Sequence, residues 1–253
     1  MTTSRYRLPR FALFRATVGV RILLFSLLVL VPVIAGHAGA QGLAAELGGD
    51  AVTRYNWRGL DFGDGASVQP YLRCAFRGFK AGFWGSYSEG FNEIDTWVSY
   101  TFTQTNSIGV TAIATDYYFP GAGIRLFNFH GCDDPGGPGA HLLEIGAVVS
   151  APPSVPLSLS GFVNVHNDPG NNVYIQLDYP VTLGELELGL SVGATPGSKA
   201  NPSAYGSDDF AVINIGVKGV RKIRFGETDL AVSTATIINP QAEIAYLILG
   251  LGI

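Results

Sequence analysis

Along residues 92–102 the chain alternates. Ile94, Thr96, Val98, Tyr100 and Phe102 fall on one side of an extended backbone, and Asp95, Trp97, Ser99 and Thr101 on the other. The pattern returns at 173–181, where Val173, Ile175, Leu177, Tyr179 and Val181 oppose Tyr174, Gln176 and Asp178. At 185–194, Leu186, Leu188, Leu190, Val192 and Ala194 oppose Glu185, Glu187, Gly189, Ser191 and Gly193. A period of two predicts strands whose faces meet different surroundings. Applied throughout, it predicts strands over 50–58, 67–76, 79–87, 92–102, 107–117, 141–150, 157–166, 172–181, 185–194, 210–220, 229–238 and 243–253. The segments 107–117 and 243–253 are apolar on both faces, so either register fits them.

Strands of about ten residues, even in number and close to twelve, predict an all-β fold: a transmembrane antiparallel up-and-down β-barrel. Connection lengths bear on this independently, because such barrels keep both termini and the short turns in the periplasm and the longer loops outside. The two longest connections, 118–140 and 195–209, are the fifth and ninth and both fall on the outer side. A secreted β-sandwich or a lipocalin-like barrel would alternate too, with its apolar face turned inward. Here the polar face is rich in Gly, Ser and Thr rather than Lys and Glu, and charged residues make up only 14% of the chain. The apolar set is therefore expected to meet lipid.

Composition changes the picture at the N-terminus. Residues 1–40 carry Arg5, Arg7, Arg10, Arg15 and Arg21 and no acid, followed by an apolar run from Ile22 to Ala35 and the small residues Ala38-Gly39-Ala40. That is the layout of a signal peptide, with cleavage expected after Ala40 and a barrel over 41–253. The remainder holds 11 of the 16 basic residues against all 20 acidic ones, which excludes a nucleic-acid footprint. Cys74, on the lipid face near the periplasmic end of the second strand, and Cys132, in an outer loop, stand too far apart for a disulfide.

An ordered series of short motifs spans residues 50 to 121: Arg54-Tyr55-Asn56-Trp57-Arg58-Gly59-Leu60, Gln69-Pro70, Gly82-Phe83-Trp84-Gly85-Ser86, Asn92-Glu93-Ile94-Asp95 and Asp116-Tyr117-Tyr118-Phe119-Pro120-Gly121. In these the chain resembles the TorF-family porins of proteobacteria. The resemblance implies an outer-membrane barrel that passes small solutes, and it brings no catalytic residues with it.

On this register Arg54, Arg58, Arg73, Lys80 and Lys218 face the lumen, together with Asp95, Glu144, Asp178, Glu185 and Glu187. Basic residues on the first three strands would face acids on the eighth and ninth, giving a field across the tube; paired with one another, the same charges would instead stabilise a filled lumen. Tyr55 and Trp57, near the outer end of the first strand, read as an aromatic girdle. The 118–140 loop carries Phe119, Phe127, Phe129 and His130 ahead of a glycine-rich stretch, and an aromatic cluster of that size is expected to fold inward as a constriction. His130, His141 and His166 with Asp133, Asp134 and Asp168 gather near the outer rim, but no Gly-x-Ser-x-Gly turn or calcium-loop spacing accompanies them. Neither catalysis nor a metal or cofactor is expected. The expected partners are outer-membrane lipid and lipopolysaccharide outside and small polar solutes within. The alternatives are a closed-lumen barrel acting through its outer loops and a hydrolase at the rim.

Overall fold

The computed structural model describes residues 42–102, 108–200 and 203–253. The expected signal peptide, 1–40, lies outside the described residues. Twelve strands close into an antiparallel barrel: β1 (Leu43–Val52), β4 (Ser67–Phe76), β5 (Phe79–Tyr87), β6 (Asn92–Thr101), β7 (Gly109–Tyr118), β8 (His141–Ser150), β9 (Ser158–His166), β10 (Val173–Leu183), β11 (Leu186–Thr195), β12 (Ala211–Phe225), β13 (Thr228–Asn239) and β14 (Ile244–Gly252). Two short strands, β2 (Tyr55–Trp57) and β3 (Leu60–Phe62), pair only with each other.

Each wall strand pairs with its neighbour in sequence, and β1 meets β14 through Asp50↔Gly252, Ala51↔Leu251 and Val52↔Gly250. Reciprocal bonds between Gly49 and Ile253 and a bond from Thr53 N–H to the Leu249 carbonyl extend this seam. Closure removes every edge of the wall sheet, as hydrocarbon requires of a spanning sheet.

The register decides which way the two faces point. Leu177 lies opposite Leu159 and Val192, Val192 opposite Ile215, and all four are exposed on the outside. Leu247, Leu249 and Leu251 continue the outer belt on β14. The buried side chains of the wall include Ser67, Ser86, Ser99, Glu144, Ser160, Asn164 and Asn214. Apolar outside and polar inside is the inverse of a soluble barrel and defines an outer-membrane-type β-barrel.

Two elements depart from the sequence-based expectation. The hairpin of β12 and β13 continues through the expected turn at 221–228, because Arg221-Lys222-Ile223-Arg224-Phe225 keeps alternating until Gly226, at φ +63°, turns the chain. The first wall strand is Leu43–Val52 and not 50–58. Gly49 lies close against Gln69 and Pro70, whereas at Gly48 a side chain would overlap Tyr71 and the Ile253 carbonyl, so this glycine-bearing stretch fits the crowded seam. Beyond Thr53 the chain leaves the wall.

Candidate functional site

Having left the wall, the chain forms a hairpin that occupies the inside of the barrel. Its pairs are Tyr55↔Phe62, Asn56↔Asp61 and Trp57↔Leu60, leaving Arg58 and Gly59 as a two-residue turn. Both turn residues have positive φ, +54° and +81°, the geometry of a type I′ turn, whose twist matches that of paired strands. Asn56 Oδ1 accepts the Gly59 N–H at 3.2 Å. Gly59 is needed twice over: its φ suits glycine, and a Cβ there would overlap the carbonyl of Ile213 on β12. Asn239, at the end of β13, donates its side-chain amide to the Gly59 carbonyl at 3.1 Å.

At the tip, the Arg58 guanidinium binds Glu144 on β8 with two prongs, Nη1 to Oε2 at 2.5 Å and Nη2 to Oε1 at 3.0 Å. Only 8% of the Arg58 side chain and 2% of the Glu144 side chain are exposed. Tyr117 on β7 donates to Glu144 Oε1 at 2.9 Å, and Arg58 Nη1 also reaches the Tyr205 hydroxyl at 2.7 Å. The guanidinium lies 4.2 Å from the Trp57 ring centroid, 4.4 Å from Phe162 and 4.6 Å from Tyr174. A charge pair removed from water holds together when its geometry is two-pronged and further hydrogen bonds support it, as Tyr117 does for Glu144 and Tyr205 for Arg58.

One face of the hairpin carries Tyr55, Trp57, Leu60 and Phe62. Tyr55 packs on Trp84 of β5 at 5.2 Å, and Phe62 on Phe91 of the β5–β6 connection at 5.0 Å. Trp57 meets Tyr117 edge-on at 5.7 Å and stacks on Tyr205 at 6.2 Å. Tyr205 belongs to the β11–β12 connection and is almost fully buried against Tyr174 and Ile213, so a second outer loop helps close the mouth. Arg54 pairs with Asp61 across the hairpin base.

These positions correct part of the reading from sequence. Tyr55 and Trp57 are packed inside the barrel and form no membrane girdle. Arg54 and Arg58 belong to the inserted hairpin, not to a wall strand. Arg73 points inward from β4 and pairs with Glu46 at 3.7 Å. Lys80 lies opposite Ser99. Asp95 shares its face with Tyr117, its partner on β7. Asp178 accepts the Gln176 side-chain amide at 2.8 Å, and Lys218 and Glu187 stand inward on β12 and β11. Glu185 sits in the Gly184-Glu185 turn, where it pairs with exposed Arg221 at 2.6 Å, so it lines no lumen. Cys74 and Cys132 are free thiols.

The expected constriction loop also packs differently. Tyr118 is the cross-strand partner of both His141 and outward-facing Ile94, so His141 points outward at the outer rim. Phe129 stacks on that imidazole at 4.0 Å, its Nδ1 lies 2.9 Å from both Asp116 oxygens, and its Nε2 bonds the Leu126 carbonyl. The loop therefore covers the outside of β7 and β8. Phe127 is exposed, His130 is exposed in the same loop, and only Phe119 turns toward the hairpin cluster, 5.8 Å from Phe91. Among the described residues it is the first connection, not the fifth, that packs inside the barrel, with Tyr205 of the ninth beside it.

Tyr205, Asn214 and Asn239 were not singled out from sequence, and Tyr117 stood out only as part of a motif, with no role attached. The only local signal for the insertion was Arg58-Gly59 standing between Tyr-Asn-Trp and Leu-Asp-Phe, a two-residue hairpin connection.

Fold and site together define an outer-membrane-type barrel whose outer mouth is filled by its own first hairpin. The chain matches no protein-family model and no curated protein. Fourteen chains of solved structures match it. One is the translocator domain of the autotransporter NalP from Neisseria meningitidis, similar over 92% of this chain and 96% of that one, with a TM-score of 0.40 and 11% identity.

Proposed function

We propose that this protein is an outer-membrane passage for small polar solutes, exported with a signal peptide and closed at rest by the β2–β3 hairpin. The observation that carries this reading is the attachment of the hairpin. It is joined to its own wall strands only at its two ends and is otherwise held by separable side-chain contacts, chiefly Arg58 with Glu144. On β11 to β14 several inward wall positions are small, Gly189, Ser191, Gly216, Ser233, Ala235 and Gly250, beside the longer Glu187 and Lys218. A barrel whose inner space is occupied by an element held through separable contacts suits gated passage. The TorF-like motifs support the same reading, since the first of them encodes the hairpin strand and its turn.

The test is planar-bilayer conductance of purified, refolded protein with Tyr55–Phe62 replaced by a short Gly-Ser linker. The shortened barrel is expected to conduct steadily where the full chain conducts rarely. A correctly assembled, hairpin-free barrel without conductance would overturn the proposal.

A second reading, a closed barrel acting through its outer loops, draws on Leu126 and Phe127, exposed apolar side chains of the β7–β8 loop. That reading predicts no conductance from either form.

A further inference from the structure

The β7–β8 loop carries a turn of unusual composition. The Asn128 N–H donates to the Arg125 carbonyl at 2.9 Å, which makes Leu126 and Phe127 the two corner residues of a β-turn. Such corners are dominated by Gly, Pro, Asn, Asp and Ser, which suit water and a tight bend. Here they are a leucine and a phenylalanine, 46% and 74% exposed. The turn is fastened to the wall. His141 Nε2 bonds the Leu126 carbonyl, the Ala140 N–H donates to the Asn128 carbonyl at 2.9 Å, and Phe129 stacks on the His141 ring. Two apolar side chains are thus presented from a fixed seat.

That seat is on the outer side of the barrel wall. Asp116 and His141 both point outward, opposite Thr96 and Tyr118, and the loop buries this polar pair where it would otherwise face hydrocarbon. β7 and β8 have ten residues each. That is about 34 Å of chain and, at a tilt of about 40°, about 26 Å of height, against an apolar band of about 25 Å in barrels of this type. Strands that just span the band end at its outer edge, so a turn packed outside those ends lies where headgroups meet acyl chains. Further down β8, Ile145 and Val149 are exposed on the same outer side, and the turn continues the belt they belong to.

We propose that Leu126 and Phe127 insert into the outer leaflet, making the β7–β8 loop a lateral anchor that grips lipid beside the barrel. Apolar side chains at this level are stabilised by shallow burial, about 5–10 Å into the boundary of headgroups and acyl chains. The anchor is independent of whether the lumen conducts.

A tryptophan placed at the turn tests it. The three native tryptophans lie inside, Trp57 on Tyr205, Trp84 on Tyr55 and Trp97 beside Gly82. The Phe127→Trp barrel is reconstituted into phosphatidylcholine vesicles brominated near the headgroup end or near the methyl end of the acyl chains, and the emission of the unsubstituted protein is subtracted. Bromine near the headgroup end is expected to quench the added emission about twofold or more, and bromine near the methyl end much less, because the insertion is shallow. Should Phe127→Trp fail to assemble, Leu126→Trp carries the same test. Added emission that bromine leaves unchanged and aqueous acrylamide quenches freely would overturn the anchor and leave the turn to a protein partner.

Discussion

Arg58 and Glu144 are 86 residues apart in sequence and meet inside the barrel through two parallel hydrogen bonds. One belongs to the inserted hairpin and the other to the wall, so the pair joins the two, and in the proposed passage it is what holds the hairpin in place. Glu144→Gln keeps the shape of the side chain and removes the charge. Breaking a buried pair on one side costs about 3–5 kcal/mol, enough to unseat a hairpin held by few other polar contacts. The expected outcome is a higher open probability in single-channel records. A Glu144→Gln channel as quiet as the wild type would show that the pair does not hold the gate.

Gly59→Ala tests the seat itself. The substitution places a Cβ at φ +81° and against the Ile213 carbonyl, so the turn cannot occupy its site unchanged. Arg58, buried in the wild type, then becomes available to trypsin added to the outer side of intact cells. Cleavage after Arg58 in the variant and not in the wild type is expected; equal protection of both would mean that the hairpin tolerates the change.

The assignment of faces can be checked on one strand. Leu188 points outward on β11 opposite Val181 and Gly219, while Ser191 points inward opposite Asp178 and Gly216. An arginine facing lipid at the midplane costs about 2–4 kcal/mol, whereas one in the lumen stays near water. Leu188→Arg is expected to lower the yield of heat-modifiable barrel well below that of Ser191→Arg. Similar yields would reverse or erase the faces.

Asp168 gives a pH dependence outside the spanning strands. Burial acts to raise its pKa, but the side-chain amides of Asn172 and Asn164 and the backbone N–H groups of Asn172 and Gly170 outweigh it, and the carboxyl is held below its ordinary value. Stabilisation from a depressed carboxylate is present above the unfolded pKa, about 3.9, and is lost as pH falls through the lower folded value. Asp168→Asn should therefore lower the temperature of the gel-mobility transition after incubation at about pH 6 and make little difference at about pH 2. A gap of the same size at both values would assign the effect to something other than ionisation.

The wall was legible where two solvents imprint two faces. Segments such as 92–102 and 173–194 alternate because one side meets lipid and the other the lumen, and there the strands lie within a residue or two of their expected bounds. The hairpin was not, because Tyr55, Trp57, Leu60 and Phe62 face protein, and an aromatic alternating run reads equally well as lipid-facing wall. Arg58 and Glu144 were both recognisable as inward candidates. Their pairing depends on where the inserted hairpin lands, and the local Arg58-Gly59 turn signal does not encode that. The β7–β8 loop differed in the opposite sense: Phe129 finds its cover on outward-facing His141, Phe127 stays exposed, and only Phe119 turns to the hairpin cluster.

The bond from Asn239 to Gly59 spans 180 residues, and it bears on the order in which the chain matures. A two-stranded hairpin can form its turn on the order of microseconds, long before distant strands have paired. This one cannot dock so early, because the groups that receive it belong to β8, β12 and β13, which come together only as the wall nears completion. Immature chains would therefore expose Arg58 and finished ones would hide it, so protease sensitivity at that single arginine reports how far assembly has gone.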